Sequence, residues 1–95
     1  MHFDWDINKN KLNIIKHSAD FNDAIELFQR ELVVIPDRRL DYQESRFIGY
    51  GYIKNRLMNV VYTERSPNII RIISFRKANN REKKLYEQII TNQLG

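Results

Sequence analysis

The densest group of side chains able to do chemistry lies near the C-terminal end of the chain. Between positions 76 and 84 a single acid, Glu82, stands among five basic residues. The basic residues are Arg76, Lys77, Arg81, Lys83 and Lys84. Arginine can bind a phosphate through two parallel N–H groups, and a helix N-terminus also attracts anions. The segment therefore predicts a phosphate-binding site, although Lys83 and Lys84 are more simply interpreted as solvated surface charges.

The charge distribution favours a polyanionic partner. The net charge of +4 comes from 16 basic and 12 acidic residues. Residues 1–50 contain seven basic and nine acidic side chains, whereas residues 51–95 contain nine and three, so the two halves carry −2 and +6. A basic C-terminal half is typical of proteins that bind nucleic acid.

Several kinds of catalytic site are excluded by composition. There is no cysteine, so disulfides, cysteine nucleophiles and cysteine–metal sites are absent. The two histidines, His2 and His17, would need carboxylates to complete a zinc site. No glycine-rich phosphate loop or nucleophile elbow is present. We assign no metal and no cofactor. His17 follows a predicted helix, where a histidine more often satisfies a terminal carbonyl than takes part in catalysis.

The N-terminal half predicts one strand and two helices. Residues 1–5 alternate apolar and polar side chains, as a strand does. Asp6 is a candidate N-cap for a helix that ends near 17–18, and Asp20 is a candidate N-cap for the next helix. Apolar residues recur at helical spacing in both segments. They are Leu12, Ile14 and Ile15 in the first helix, and Phe21, Ala24, Ile25 and Phe28 in the second.

The C-terminal half predicts four strands and a helix. The strands are 32–35, 46–53, 57–64 and 69–76, and the charged segment 37–45 is a loop. Gly49 and Gly51 predict a bulge or a close backbone approach. Asn55 is able to take the positive φ of a hairpin turn at 54–56. Asn79 and Glu82 have the spacing of a capping box at the start of the last helix.

These elements predict an α+β fold in the order β-α-α-β-β-β-β-α. Consecutive strands with short connections form an antiparallel meander packed with helices. Ninety-five residues suit a single domain, spanning 1–95, in which one face of the sheet and the helices share one core. We expect no membrane span, because no stretch approaches ~20 apolar residues. The N-terminus lacks a signal-peptide pattern, so a cytoplasmic protein is expected.

In the order and spacing of short motifs across nearly its whole length, the chain resembles the BrnT-type toxins and, more distantly, RelE. The strongest block runs from Val61-Tyr62-Thr63-Glu64-Arg65 to Ile72-Ile73-Ser74-Phe75-Arg76-Lys77-Ala78. Other matching motifs are Phe3-Asp4-Trp5-Asp6, Lys16-His17, Asp23-Ala24, Asp37-Arg38-Arg39, Glu44-Ser45-Arg46, Arg81-Glu82 and Tyr86-Glu87. Each motif is weak alone, and their combined order and spacing is fairly specific.

The resemblance implies a RelE-like fold and RNA cleavage that inhibits translation. It also implies a BrnA-type antitoxin encoded alongside, whose complex with the toxin binds operator DNA through the antitoxin. By position it gives phosphate-binding roles to Arg76 and Arg81, and matches Glu64 and Arg65 to an acid–base pair. Asn80 departs from the family, whose members often have a basic residue there.

Together these inferences give the hypothesis of a metal-independent endoribonuclease. The predicted catalytic residues are Arg76, Arg81, Glu64 and Arg65, and the predicted RNA-binding residues are Lys77, Arg38, Arg39 and Lys84. Glu64 is the candidate general base, yet simple hairpin pairing puts it near Ile69 and far from Arg76. The alternative is a non-catalytic basic module that docks an acidic protein or nucleic acid.

Overall fold

The computed structural model describes residues 1–94 and confirms the predicted α+β class and element order. Its elements are β1 (His2–Asp4), α1 (Ile7–His17), α2 (Phe21–Ala24), β2 (Val33–Pro36), β3 (Arg46–Ile53), β4 (Arg56–Ser66), β5 (Ile69–Lys77) and α3 (Asn80–Leu94). A 3-10 helix at Ile25–Gln29 continues α2, so the predicted second helix tightens midway. None of the helices in residues 1–94 is long and apolar enough to cross a membrane.

The sheet has the strand order β1-β5-β4-β3-β2. Strands β2 to β5 form the predicted antiparallel meander. The sheet is nevertheless mixed, because β1 pairs with β5 in parallel, with His2 opposite Ile69 and Asp4 opposite Arg71. The expectation that the whole sheet is antiparallel is therefore wrong for β1.

Helices cover both faces of the sheet, so the predicted single core is divided into two. Phe21, Ala24 and Leu27 are fully buried against one face, in a cluster with Val60 and Phe75. The other face forms a second cluster, in which Leu85 and Tyr86 of α3 pack. Its buried members are Ile48, Tyr50, Leu57, Val61 and Ala78. The division follows from strand geometry, since successive side chains of β4 point to opposite faces and most are apolar.

Helix α1 packs in an unexpected orientation. Its predicted apolar stripe is exposed, and its buried residue is Asn13. Strand β1 pairs β5 only as far as Arg71, which leaves the backbone of Phe75 without a partner strand on that side. Asn13 fills this gap, because its Nδ2 donates to the Phe75 carbonyl at 2.6 Å and its Oδ1 accepts from the Phe75 N–H at 3.3 Å. The same amide also donates to the Ala19 carbonyl at 2.9 Å.

Replacing Asn13 by alanine is expected to lower the free energy of unfolding by about 2–3 kcal/mol, because buried backbone groups lose their partners. Urea denaturation measures this change. Asn8→Ala is the matched control, since Asn8 is an exposed residue of the same helix and gains the same helix propensity. Equal effects of the two substitutions would contradict the role given to Asn13.

The predicted helix caps are confirmed, and one turn residue was assigned wrongly. Asp6 Oδ1 accepts from the backbone of Asn8 and Lys9, and Asp20 caps α2. The positive φ of the β3–β4 turn belongs to Lys54, at 56°, and not to Asn55. Of the predicted glycine roles, close approach is found, since a Cβ on Gly51 would lie 3.1 Å from the side chain of Leu27.

Candidate active site

Arg76 is held at the end of β5 by an ion pair with Glu82. Its Nη1 lies 2.7 Å from Glu82 Oε1 and its Nη2 lies 2.9 Å from Oε2. The Arg76 side chain is 28% exposed and the Glu82 side chain 13% exposed. Glu82 is placed by the predicted capping box, which is formed reciprocally: Asn79 Oδ1 accepts from the Glu82 N–H, and Glu82 Oε1 accepts from the Asn79 N–H.

The carboxylate of Glu82 is at the centre of a hydrogen-bond network. Besides Arg76 and Asn79, it accepts from Asn59 Nδ2 at 2.7 Å and from the Tyr50 hydroxyl at 3.3 Å. Burial raises the pKa of Glu82, but the hydrogen bonds and charge of Arg76, with the bonds from Asn79 and Asn59, outweigh it and lower the pKa to about 2. Glu82 is therefore ionised at neutral pH and fixes the Arg76 guanidinium.

Arg76 keeps two N–H groups available after these contacts. Of its five N–H groups, two bond to Glu82 and one, on Nη1, bonds to the Lys77 carbonyl at 3.2 Å. The remaining two, on Nε and Nη2, lie on one edge of the guanidinium and meet no acceptor within residues 1–94. Two parallel N–H groups on a partly exposed arginine are the arrangement that binds a phosphate bidentately.

A cationic groove lies beside Arg76, between α1 and β5. Its volume is about 260 Å³, and no carboxylate lines it. The lining residues are Lys9, Leu12, Asn13, Lys16, His17, Ile73 and Ser74. Ser74 stands two residues before Arg76 on the same strand face, roughly 7 Å away along the chain. The groove thus extends the positive surface of Arg76 toward α1.

His17 is half-buried at the C-terminal end of α1, where it lines this groove. Burial lowers its pKa below the ordinary value of 6.5, and the positive charges of Lys16 and Arg76 lower it further. The imidazole is therefore neutral at pH 7 and able to accept a proton.

Three further predicted residues lie near Arg76. Lys77 ends β5, Arg81 is in the first turn of α3, and Lys84 is one turn further along the same helix. All three are exposed. Arg81 and Lys84 lie on the helix that contains Glu82, whereas Lys77, which pairs with Met58, points to the sheet face opposite Arg76.

The Arg38–Arg39 loop approaches the same sheet face from β2. Arg39 binds the buried Asp37 through Nε and Nη2, each at 2.8 Å from a carboxylate oxygen, and this contact lowers the pKa of Asp37. Burial and Glu82 raise the pKa of Tyr50 to about 12, whereas Arg76 and Arg39 act in the opposite direction. Both arginines are therefore close enough to Tyr50 for their positive charges to act on the pKa of its hydroxyl. Arg38 lines a pocket of about 540 Å³ formed by this loop.

Glu64 is not brought to Arg76. Glu64 pairs with Ile70, whereas Arg76 pairs with Asn59, so five residues of β4 separate the two rungs. That separation corresponds to roughly 16 Å along the strand. Glu64 and Arg65 instead line a different pocket, with Glu44. The distance expected from simple hairpin pairing is thus found in spite of two irregularities in the ladder.

Sequence reasoning missed the contacts that position Arg76. Glu82 was identified only as a helix cap, although a lone acid among five basic residues was a signal that it pairs with one of them. Asn59 is a buried amide within an apolar strand, and its Oδ1 has no partner within the described residues. Tyr50 gave no sequence signal.

Residues 1–94 contain no cluster of three or more His, Asp or Glu side chains suited to a metal ion.

Comparisons with known proteins agree on one family. The family model described as "Ribonuclease toxin, BrnT, of type II toxin-antitoxin system" matches residues 5–82. The crystal structure of the Brucella abortus ribonuclease toxin BrnT is similar, with a TM-score of 0.68 and 27% sequence identity. The match covers 84% of this chain and 99% of that one. A search of curated proteins found no match. Because the family model spans most of its length, the chain belongs to the BrnT family of ribonuclease toxins of type II toxin–antitoxin systems.

Proposed function

We propose that the chain is a metal-independent endoribonuclease that cleaves RNA and thereby inhibits translation. The observation that carries the proposal is the position of Arg76, whose guanidinium is fixed by Glu82 with two N–H groups directed away from it. A donor fixed before the reaction stabilises the charge that develops on a phosphate without reorganising. The adjacent cationic groove supports the proposal, because it can hold the RNA backbone next to that phosphate.

The proposed reaction uses the RNA's own 2′-hydroxyl. A base on the protein takes the hydroxyl proton, the 2′-oxygen bonds to the adjacent phosphorus, and the bond to the 5′-oxygen breaks. The departing 5′-oxygen takes a proton from water, which leaves a 2′,3′-cyclic phosphate and a 5′-hydroxyl. Arg76 and Arg81 neutralise the phosphoryl oxygens during the step. Positioning the ribose and phosphate in line supplies a further large share of the rate.

We assign the proton acceptor to His17 and not to Glu64. Glu64 lies roughly 16 Å along β4 from the rung of Arg76. The hydrogen-bonded carboxylate of Glu82, with a pKa of about 2, is too weak a base. His17 faces the groove beside Arg76. The charges that act on it are those of Lys16 of α1 and Arg76 of β5, and both favour the neutral imidazole.

The rate of RNA cleavage is therefore expected to rise with pH and to reach its plateau at neutral pH. Because the pKa of His17 is lowered, the midpoint should lie below 6.5. His17→Gln should lower the plateau by about 10²–10⁴-fold and remove this inflection. Single-turnover cleavage between pH 4.5 and 8.5 measures the plateau rate and the inflection. Imidazole added to His17→Ala should restore part of the cleavage rate. An unchanged pH profile in His17→Gln would exclude this base.

The remaining predicted residues are proposed to guide the RNA backbone. Lys84 extends the positive surface from Arg76 along α3, Lys77 adds a positive charge at the end of β5, and Arg38 and Arg39 add charge from the loop after β2. Arg65 lies apart from these residues, near the other end of β4 beside Glu64. Each such contact should contribute to affinity and to its salt dependence, and not to the chemical step.

Purified protein incubated with unstructured RNA in EDTA separates this function from that of a non-catalytic basic module. The ribonuclease shortens the RNA under these conditions, whereas a binding module leaves its length unchanged. Expression of the chain alone in a bacterium gives the cellular counterpart. It should arrest growth and protein synthesis reversibly, and unaffected growth would count against the proposal.

The proposed partner is a BrnA-type antitoxin. The family gives the chain an antitoxin and an RNA substrate as its partners. The resemblance extends this to a complex that binds operator DNA through the antitoxin, with both proteins in the cytoplasm. Co-expression of the antitoxin should relieve the growth arrest.

A further inference from the structure

The outer surface of α1 is unusually apolar for a helix exposed to solvent. Ile7, Leu12 and Ile15 are 67%, 66% and 80% exposed, and Ile14 is 39% exposed. At about 100° of rotation per residue, the four lie within one half of the helix circumference, opposite Asn13. A helix in a globular protein normally buries its apolar stripe, but α1 is attached to the sheet by Asn13 instead. Several large exposed apolar side chains on one side of a helix indicate an interaction surface.

The charges on α1 restrict what can cover it. The helix carries Lys9, Lys11 and Lys16 and no acidic residue. Lys11 lies between Ile7 and Ile15 around the helix axis. RNA would satisfy the lysines but offers little aliphatic surface to the isoleucines. A protein segment with apolar residues on one side and carboxylates beside them satisfies both groups.

We propose that this α1 surface, formed by Ile7, Lys11, Leu12, Ile14 and Ile15, binds an acidic amphipathic segment of the antitoxin. A protein partner is expected because the family is that of type II toxin–antitoxin systems. The surface is also continuous with the candidate active site, since Leu12 lines the groove that contains His17. A segment bound along α1 therefore reaches the rim of the groove and obstructs RNA entry. The obstruction of RNA entry rests on the proposed function, whereas the docking of the segment on α1 does not.

The cognate antitoxin is first obtained by co-expression with this chain. It is then titrated against purified variants of the chain to test the docking. Ile15→Glu introduces a repelling charge at the most exposed of the four apolar positions. The matched control is Leu40→Glu, because Leu40 is 69% exposed in the loop after β2 and lies outside α1. Circular dichroism establishes that both variants are folded.

Ile15→Glu is expected to raise the dissociation constant for the antitoxin by about 30-fold or more, as loss of an interface hot spot does. Leu40→Glu should change it by less than about threefold, as a remote surface substitution does. Ile15→Glu should keep the wild-type rate of RNA cleavage and escape neutralisation by the antitoxin.

Unchanged antitoxin affinity in Ile15→Glu would overturn the proposal. So would a wild-type chain that is dimeric in sedimentation experiments and becomes monomeric with Ile15→Glu, since a second copy would then occupy α1. The binding measurement is independent of cleavage. A chain that binds antitoxin through α1 but leaves RNA intact would refute the proposed function and leave the docking surface in place.

Discussion

Replacing Arg76 by lysine is expected to lower the rate of RNA cleavage by about 10²–10³-fold, the loss typical of removing one fixed donor to a developing oxyanion. Lysine keeps the positive charge and an ion pair with Glu82. It lacks the second edge of N–H groups that the guanidinium keeps free of Glu82. The loss should therefore fall on the chemical step. Single-turnover rates at saturating protein measure it separately from RNA affinity.

Arg56→Lys is the matched control for Arg76→Lys. Arg56 is an exposed residue that begins β4, directly after the β3–β4 turn, and the same substitution there should leave the rate unchanged. Arg76→Ala should abolish growth arrest on expression. The Arg76→Lys rate is the cleaner measurement, because alanine also leaves Glu82 without its counter-ion. An Arg76→Lys protein with more than about a third of the wild-type rate would show that the chemical step does not need the guanidinium.

Glu82→Gln is expected to have the second large effect, this time on stability as well as activity. The substitution removes the charge that pairs with Arg76 and replaces one acceptor oxygen by a donor facing Asn59 or Arg76. Breaking a largely buried ion pair leaves an uncompensated charge, and the expected loss is on the order of 3 kcal/mol in the free energy of unfolding at pH 7. RNA cleavage should fall too, because the guanidinium of Arg76 is no longer fixed.

The stability effect of Glu82 has a defined pH dependence. Its pKa in the folded protein is about 2, below the ordinary value of 4.5. The stabilisation is therefore fully present above about pH 4.5 and is lost as the pH falls toward 2. Urea denaturation at several pH values should show that the difference in free energy of unfolding between wild type and Glu82→Gln becomes smaller as the pH falls across that interval. Glu87→Gln, an exposed change on the same helix, should show no such narrowing, and a constant gap for Glu82→Gln would refute the assignment.

Most of the fold could be predicted because its signals are local. Strand alternation and capping residues predict β2 to β5, both ends of α1 and the start of α3 within a few residues. The errors occurred where distant segments decide the outcome. The parallel pairing of His2 with Ile69 joins segments 67 positions apart in the chain. Asn13 is buried because β5 lacks a partner strand at Phe75, and no helical periodicity reports such a gap.

The candidate site was predictable in its residue types and less so in its geometry. Arginine at a strand end within a basic segment indicated Arg76, and the structure adds the contact with Glu82 that orients it. The sequence favoured Glu64 as the base through family resemblance, while hairpin pairing already argued against it. The sequence gives His17 little weight because a histidine after a helix more often satisfies a terminal carbonyl. Its proximity to Arg76 depends on how α1 packs against β5, which the sequence does not report.

Cleavage of a DNA strand that contains one ribonucleotide tests the central claim most directly. A set of such strands, one for each base, is incubated with the protein in EDTA, and the product ends are identified by mass spectrometry. Reaction through a 2′-hydroxyl without a metal ion predicts a break only after the ribonucleotide, with a 2′,3′-cyclic phosphate and a 5′-hydroxyl as the new ends. Cleavage of the all-DNA strand, a 5′-phosphate product, or intact strands in EDTA that are cut when Mg²⁺ is added would contradict it.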